Sequence, residues 1–470
     1  MAAPASLQLP YLQGLPPALP FERQRDRIDA WFRNALHGED QLRQRVAFAL
    51  SEILVVSQNG ALASYPYALA GYYDLLAEHA FGNYRELLEA VTLHPAMGIY
   101  LSMLGNEKPD PDRNIRPDEN YARELMQLFS IGLVQLHPDG TPVLDADGVP
   151  VPTYDQAVIE GFAHVFTGWH FAGAASFRQA FPTAQNQVVP MQLYPAFHDD
   201  GAKQLLNGTV LPPGQGGQAD LEAALDNIFQ HPNVGPFIAR RLLQRLVTSN
   251  PSPGYVRRVA DVFDDNGAGV RGDLGAVVRA ILLDAEARPA LPMEIDGKIK
   301  EPLLRLTQLW RAYDAQSAGG GYPFVAASVF LGQGPLQAPS VFNFFSPDYA
   351  PPGEIRDSSL TAPELEIATE YQNTLVTNLF FYQVFGLNSA STGLEADDIV
   401  IDIDAEIALA DDADALLDRV GDTLLGGEMS AVLRAEIAGM LARIPADDAA
   451  LRAAEAIYLV VTSPEFAYQR

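Results

Sequence analysis

The sequence contains no cysteine. That excludes disulfides, thiolate zinc sites, iron–sulfur clusters and cysteine nucleophiles. It assigns no compartment, because a chain of 470 residues buries a core that needs no covalent staple. Long apolar runs are missing as well. No stretch of about 18 apolar residues occurs, so no membrane span is expected. The opening Met1-Ala2-Ala3-Pro4 lacks the basic and apolar regions of an export signal. Basic residues are scarce: 31 lysines and arginines face 59 aspartates and glutamates, a net charge of −28. Such a surface repels duplex nucleic acid and anionic membranes, so no nucleic-acid partner is expected. Cationic partners, metal ions and neutral substrates remain open. There is no P-loop, no G-x-G-x-x-G after a strand, no G-x-S-x-G and no H-E-x-x-H. Nucleotide, flavin, serine-hydrolase and zincin chemistries therefore lack their signatures.

What is present is a helical rhythm. The hydrophobic fraction of 48% and charged fraction of 19% are those of a globular protein. Residues 1–20, rich in Pro and Leu, read as an extended N-terminal arm. Apolar residues at helical spacing then recur over Arg23 to Leu36, Gln41 to Val56, Tyr67 to His79 and Tyr84 to Val91. Asp118 is placed to cap a helix reaching about Phe129, and Asp155 one reaching about Phe166. Between them, Asp139-Gly140 and Asp147-Gly148 flank short β-branched runs, the pattern of a small β-hairpin.

Residues 171–220 and 315–358 are irregular, and loops this long in a compact protein usually carry function or lack order. Helices resume near 220–229 and 234–248, from Pro253, from Asp273 and from Glu301-Pro302. Thr361 to Glu364 has the spacing of a capping box before a long apolar helix to about Phe385. Three more helical segments follow near 412–425, 430–443 and 447–461. The expected fold is all-α, a multi-helix globular array with one small β-hairpin and long irregular loops. It forms one helical domain over 21–470, with sub-lobes at 21–230 and 231–470 as the alternative division.

Several blocks of text carry a resemblance. RPDENYARELMQLFSIG at 116–132 is similar to the signature of the bacterial domain of unknown function 1800 family. So are DQLRQRVAFALSEILVVS at 40–57, FGNYRELLEAVTLHPAMGIYLSMLGN at 81–106 and GFAHVFTGWHF at 161–171. Further matches are HDDGAK at 198–203, HPNVGPFIARRLLQRLVTSNPSP at 231–253, GKIKEPLLRL at 297–306, SVFNFFSPDY at 340–349 and the ending TSPEFAYQR. The resemblance covers roughly 25 to 470. It implies a large, mostly helical, exported bacterial protein, secreted or periplasmic, whose signal is not among these residues. It also implies a partner, an exported protein of the domain of unknown function 1501 family, often encoded beside it. It implies no reaction.

Five constellations carry possible chemistry. On the helix from Glu119, the pairs Glu119/Arg123 and Asn120/Glu124 are four apart, which gathers carboxylates, an amide and a guanidinium for acid/base work or ligand binding. The plainer reading is a solvated face with an i,i+4 ion pair. Glu119 and Glu124 themselves project roughly 140° apart. His198-Asp199 with Lys203 offers an oriented base and an anion contact, or merely a loop histidine bonded to backbone. Trp169, in the block Thr167-Gly168-Trp169-His170, is either a stacking platform or core, and His164 stands at no recognised metal spacing from His170. Asp264 to Asp273 and Asp145 to Gly148 resemble fragments of calcium loops without completing one. Arg240, Arg241 and Arg245, with Lys298 and Lys300, form either an anion pocket or ion pairs with the abundant carboxylates.

The leading expectation is a hydrolase or lyase acting on an extracellular polymer, a polysaccharide among them. Glu119, Glu124, His198 and Asp199 would be catalytic or metal-binding, and Asn120, Arg123, Trp169 and Lys203 would contact substrate. A divalent metal ion is the cofactor such a carboxylate set would take. The alternatives are a non-catalytic assembly partner of another exported protein, and a metal-dependent oxidoreductase or transferase.

Overall fold

The computed structural model describes residues 3–288 and 297–469. Among them are 21 α-helical segments and three two-stranded sheets of two residues per strand. The fold is mostly helical, as the apolar spacing implies. No helix of the described residues is long and apolar enough to cross a membrane. The chain divides into two compact units: Met1–Gln24, Asp40–Pro292 and Ala338–Asn343 form one, and Arg25–Glu39, Met293–Gln337 and Phe344–Arg470 the other.

The core of the first unit is a chain of packed helices. Gln41–Ser51 packs on Pro66–Glu78 and on Val234–Leu246, which packs on Pro253–Asp264, which packs on Leu274–Leu283. Each buries an apolar stripe, as in Val46, Leu50, Leu76, Leu242 and Val259. The N-terminal arm is not extended throughout. Leu9–Gly14 is a short helix against Pro66–Glu78. Its first amides lack intrahelical partners, like those of any helix start. Asp74 supplies the acceptors: Gln8 N–H and Leu9 N–H each donate to its carboxylate at 2.7 Å.

The expected β-hairpin is a compact set of antiparallel bridges, Val134–Pro152, Leu136–Pro142 and Leu144–Pro150. Gly140 and Gly148 take positive φ in its two Asp-Gly turns. Helix Gln156–Val165 opens on Asp155, whose carboxylate accepts from Val158 N–H at 3.0 Å. This helix lies so close to the strand Lys203–Gln204 that a Cβ at Gly161 would sit 1.8 Å from the Gln204 carbonyl oxygen. Only glycine permits that backbone approach.

In the second unit, Ala449–Val461 is the central helix. Ala413–Leu425, Ala431–Leu441, Asp404–Ala408 and Glu370–Phe381 all pack on it. The segment Lys298–Ile299 pairs antiparallel with Tyr468–Gln469. One helix start differs from its sequence signal. Glu364 does not serve in a capping box, because its carboxylate is buried 2.9 Å from Lys298 Nζ. Pro363–Glu366 is a 3₁₀ turn, and the long helix starts at Glu370 under the cap of Thr369, whose hydroxyl accepts from Gln372 N–H at 3.1 Å. That helix runs into a π-turn at Tyr382–Gly386.

Asp74 makes the arm's attachment testable. Burial raises its carboxyl to about 7, against the two N–H bonds that lower it. The folded pKa thus lies above the unfolded value of about 3.9. Its contribution to stability is full below about pH 4 and declines as pH rises through about 7. Asp74→Ala leaves the two arm amides unpaired and costs about 1–3 kcal/mol. Hydrogen exchange is expected to speed first at Gln8 to Gly14, and the pH slope of urea midpoints to flatten in the same window.

Candidate functional site

The signature helix is Asn120–Gln127. Tyr121, Ala122, Leu125 and Met126 are buried. The Tyr121 ring meets Phe166 edge-on at 5.0 Å, and its hydroxyl shares a 2.6 Å hydrogen bond with Thr92. The helix packs on Gln156–Val165. The expected cap at Asp118 is displaced: Glu119 is the N-cap, without a side-chain cap bond, while Asp118 just before it accepts from Asn120 N–H at 2.8 Å and Asn120 itself is exposed.

On the outer face, Arg123 donates to Glu119 at 2.9 Å. Gln156 donates to both oxygens of Glu119 at 3.0 and 3.1 Å and lies 3.3 Å from a Glu160 oxygen. Gln156, Glu160 and His164 are spaced four apart on one helix and so share one face, about 12 Å from first to last. His164 closes the row. Its Nδ1 stands 2.8 Å from Asp199 Oδ2. Burial alone would raise the Asp199 carboxyl, but the Gly201 N–H and His164 outweigh it and hold the group below its ordinary range. The His164 side chain stays 33% exposed. A carboxylate-oriented imidazole open to solvent is an arrangement suited to moving protons. Thr167 secures it from behind, donating to the His164 carbonyl at 2.7 Å and accepting from Asp199 N–H at 2.9 Å.

Glu124 is of another kind. The residue is only 7% exposed, and Oε2 is buried with no hydrogen-bond partner. Burial raises its carboxyl above the ordinary glutamate range, with Arg123 pulling the other way. Two phenols lie within reach of its charge. Tyr100 and Tyr154 are each pushed up to about 12, chiefly by burial, with Glu124 adding to both and Arg123 opposing it at Tyr154. The Tyr154 hydroxyl is also buried without a partner. The raised carboxyl and the phenol thus each hold a buried oxygen with unmet hydrogen-bonding capacity.

The sequence expectations for His198, Lys203 and Trp169 need correction. His198 Nε2 faces Asp220 Oδ2 at 3.0 Å and Nδ1 faces the Thr167 carbonyl at 3.0 Å. Lys203 Nζ lies 2.6 Å from the same Asp220 oxygen and donates to the carbonyls of Asp199 and Gly201 at 2.6 and 2.9 Å. Gln215 donates to the other Asp220 oxygen at 2.5 Å. With His198, Lys203 and Asp220 buried and engaged, neither His198 nor Lys203 has a face to offer substrate. Trp169 is buried as well, in a two-residue pairing with Leu193, so it is core and no platform. Aromatic surface lies nearby instead. A hollow of about 450 Å³ is lined by Glu107, His170, Phe177, Arg178 and the exposed Phe181. Asn106, next to Glu107, bonds Asp118 in both directions at 2.9 and 3.3 Å, which ties this wall to the start of the signature helix.

The remaining constellations resolve into structure. Asp265 and Asn266 accept from backbone amides of their own turn, as does Asp145. Arg245 lies 3.7 Å from Glu52 in the first unit, and Lys298 sits between Glu301 and Glu364 in the second. Among the described residues, no three or more His, Asp or Glu side chains are grouped to hold a metal ion. Sequence reasoning passed over Tyr154 and Asp220, and weighed His164 only for metal spacing with His170. The i, i+4, i+8 spacing of Gln156, Glu160 and His164 was the signal available for His164.

The sequence profile of the family described as protein of unknown function (DUF1800) matches residues 17–468. The chain belongs to this family. The DUF1800 match spans both helices of the site. No curated protein and no solved structure matches the chain.

The inward network gives a direct test. Asp220→Asn leaves the buried Lys203 ammonium without its carboxylate, and the His198 ring without that partner, and is expected to cost about 3–5 kcal/mol. Chemical denaturation should show the loss. His164→Gln, at a half-exposed position, should leave the midpoint within about 0.5 kcal/mol of wild type.

Proposed function

We propose that this chain is an exported enzyme that cleaves an extracellular polymer, a polysaccharide foremost, as a hydrolase or lyase working by acid/base chemistry. The carrying observation is Glu124: a buried carboxyl held above its ordinary range, with an unpartnered oxygen, beside an unpartnered Tyr154 hydroxyl. A carboxyl whose proton is held more firmly than an ordinary glutamate's suits the general acid that such a reaction needs. His164, oriented by Asp199, supplies the base, while Glu119, Arg123 and Gln156 form the polar row along which a chain of hydroxyls would lie. The hollow around Phe177 and Phe181 adds aromatic surface for a sugar ring.

Incubation with a panel of neutral and acidic polysaccharides, followed by reducing-end assay and by ultraviolet absorbance of unsaturated products, separates hydrolysis from elimination. Glu124→Gln is expected to lower kcat about 10²–10⁴-fold with an unchanged melting curve. Activity should decline as pH rises through the elevated Glu124 range, because the donor is lost on ionisation. Full activity in Glu124→Gln, or an inert wild type across the panel, overturns the reading.

A second reading has one observation in its favour, the net charge of −28. Such a surface suits a non-catalytic partner that docks a basic exported protein, one of the domain of unknown function 1501 family included. A complex captured at low salt and lost as ionic strength rises, from a chain inert on every polymer, would favour it.

A further inference from the structure

The second unit holds a hollow of about 340 Å³ that the polymer-cleaving reading does not use. Its walls include Trp310, Phe324, Phe330 and Tyr382. Phe324 meets Trp310 edge-on at 5.8 Å and lies nearly parallel to Phe330 at 6.2 Å. The polar handle of the tryptophan is spent: its indole N–H donates to Gln383 at 3.0 Å, and Gln383 in turn donates to the carbonyls of Leu387 and Ile399 at 3.2 and 2.7 Å. The tryptophan therefore contributes ring surface to the wall rather than a hydrogen-bonding group.

Two further features set this hollow apart from an ordinary surface dimple. Tyr382 and Gln383 belong to the π-turn Tyr382–Gly386, and single π-turns inside helices recur at functional sites. The charges on the lining are all of one sign. Asp397 and Asp398 stand on it, and no lysine or arginine does. Asp397 is paired with Arg25 outside the lining at 2.5 Å. Among the described residues no cation is paired with Asp398, and one of its oxygens accepts from Glu395 N–H at 2.8 Å.

Aromatic faces attract cations through their quadrupoles, most strongly where the cation sheds water. A carboxylate at the rim adds attraction, and the volume matches a small organic molecule. We infer that this hollow binds a small organic ammonium ion, a quaternary or alkylated amine with an apolar body. The rings hold the cationic head and Asp398 neutralises it. An anion would meet two carboxylates, and a neutral apolar molecule would forgo the charge.

The probe pair is benzyltrimethylammonium and neopentylbenzene, which share a shape and differ in charge. Each is titrated into the full chain and followed by ligand-observed NMR, in NaCl on the order of 0.3 M to screen the diffuse acidic surface. The cation is expected to bind one site roughly tenfold more tightly than the neutral isostere. Tyr382→Ala, at an exposed side chain, should weaken it by a similar factor, and Asp398→Asn should erase the preference for charge. Equal binding of the two probes, binding of neither, or cation binding that survives both substitutions overturns the inference. The two-probe comparison on the wild type stands even if a substitution unfolds the chain.

Discussion

The buried carboxylate of Asp220 is the constraint on which the first unit's irregular half depends. The segment from 171 to 216 has almost no regular secondary structure to organise it. Asp220 lies in the first turn of the helix Gly217–Phe229 and draws Lys203 and His198 onto itself in the interior. Charges taken out of water must be paired closely or the fold loses several kcal/mol. That requirement leaves the loop one route. It brings Asp199 round to His164, and the lysine fixes the carbonyls on either side of the turn. The outward-facing imidazole and the inward-facing one are thus consecutive products of a single anchoring.

The second unit repeats the device with opposite bias. Lys298 sits between Glu301 and Glu364, and Gln333 donates to Glu301 at 2.6 Å. Here one cation serves two carboxylates. In a chain with nearly twice as many acids as bases, lysine and arginine are the limiting resource. Lys298 is committed in this way, while Lys300 donates to Gln308 at 2.8 Å and lies over the Phe466 ring.

Much of the scaffold was legible because helices announce themselves locally. Asp155 and Asp273 cap helices by the rule of a short polar side chain facing the third amide. The signature text likewise announced a helix, Asn120–Gln127, which carries Arg123 and Glu124 with Glu119 just before it. What was not legible depends on distant partners. Nothing near Glu364 in sequence reveals that Lys298 will withdraw it from a capping box. Likewise nothing near His198 reveals that Asp220, 22 residues on, will turn it inward and leave its neighbour Asp199 to His164. Adjacent residues on extended backbone point to opposite sides, so one of this pair had to be interior. Which one was a tertiary matter.

The π-turn at Tyr382–Gly386 carries a consequence for how the second unit tolerates change. A π-turn is a helix holding one residue more than its regular pitch accommodates. Removing a single residue there would restore the regular ladder, and backbone hydrogen bonding would gain. Every side chain beyond the deletion would then swing by about 100° around the axis. Gln383 would leave the tryptophan it accepts from, and the connection to 387–401 would lose its register. The irregular turn is therefore a ratchet that length variation in this helix cannot slip past without dismantling the aromatic wall.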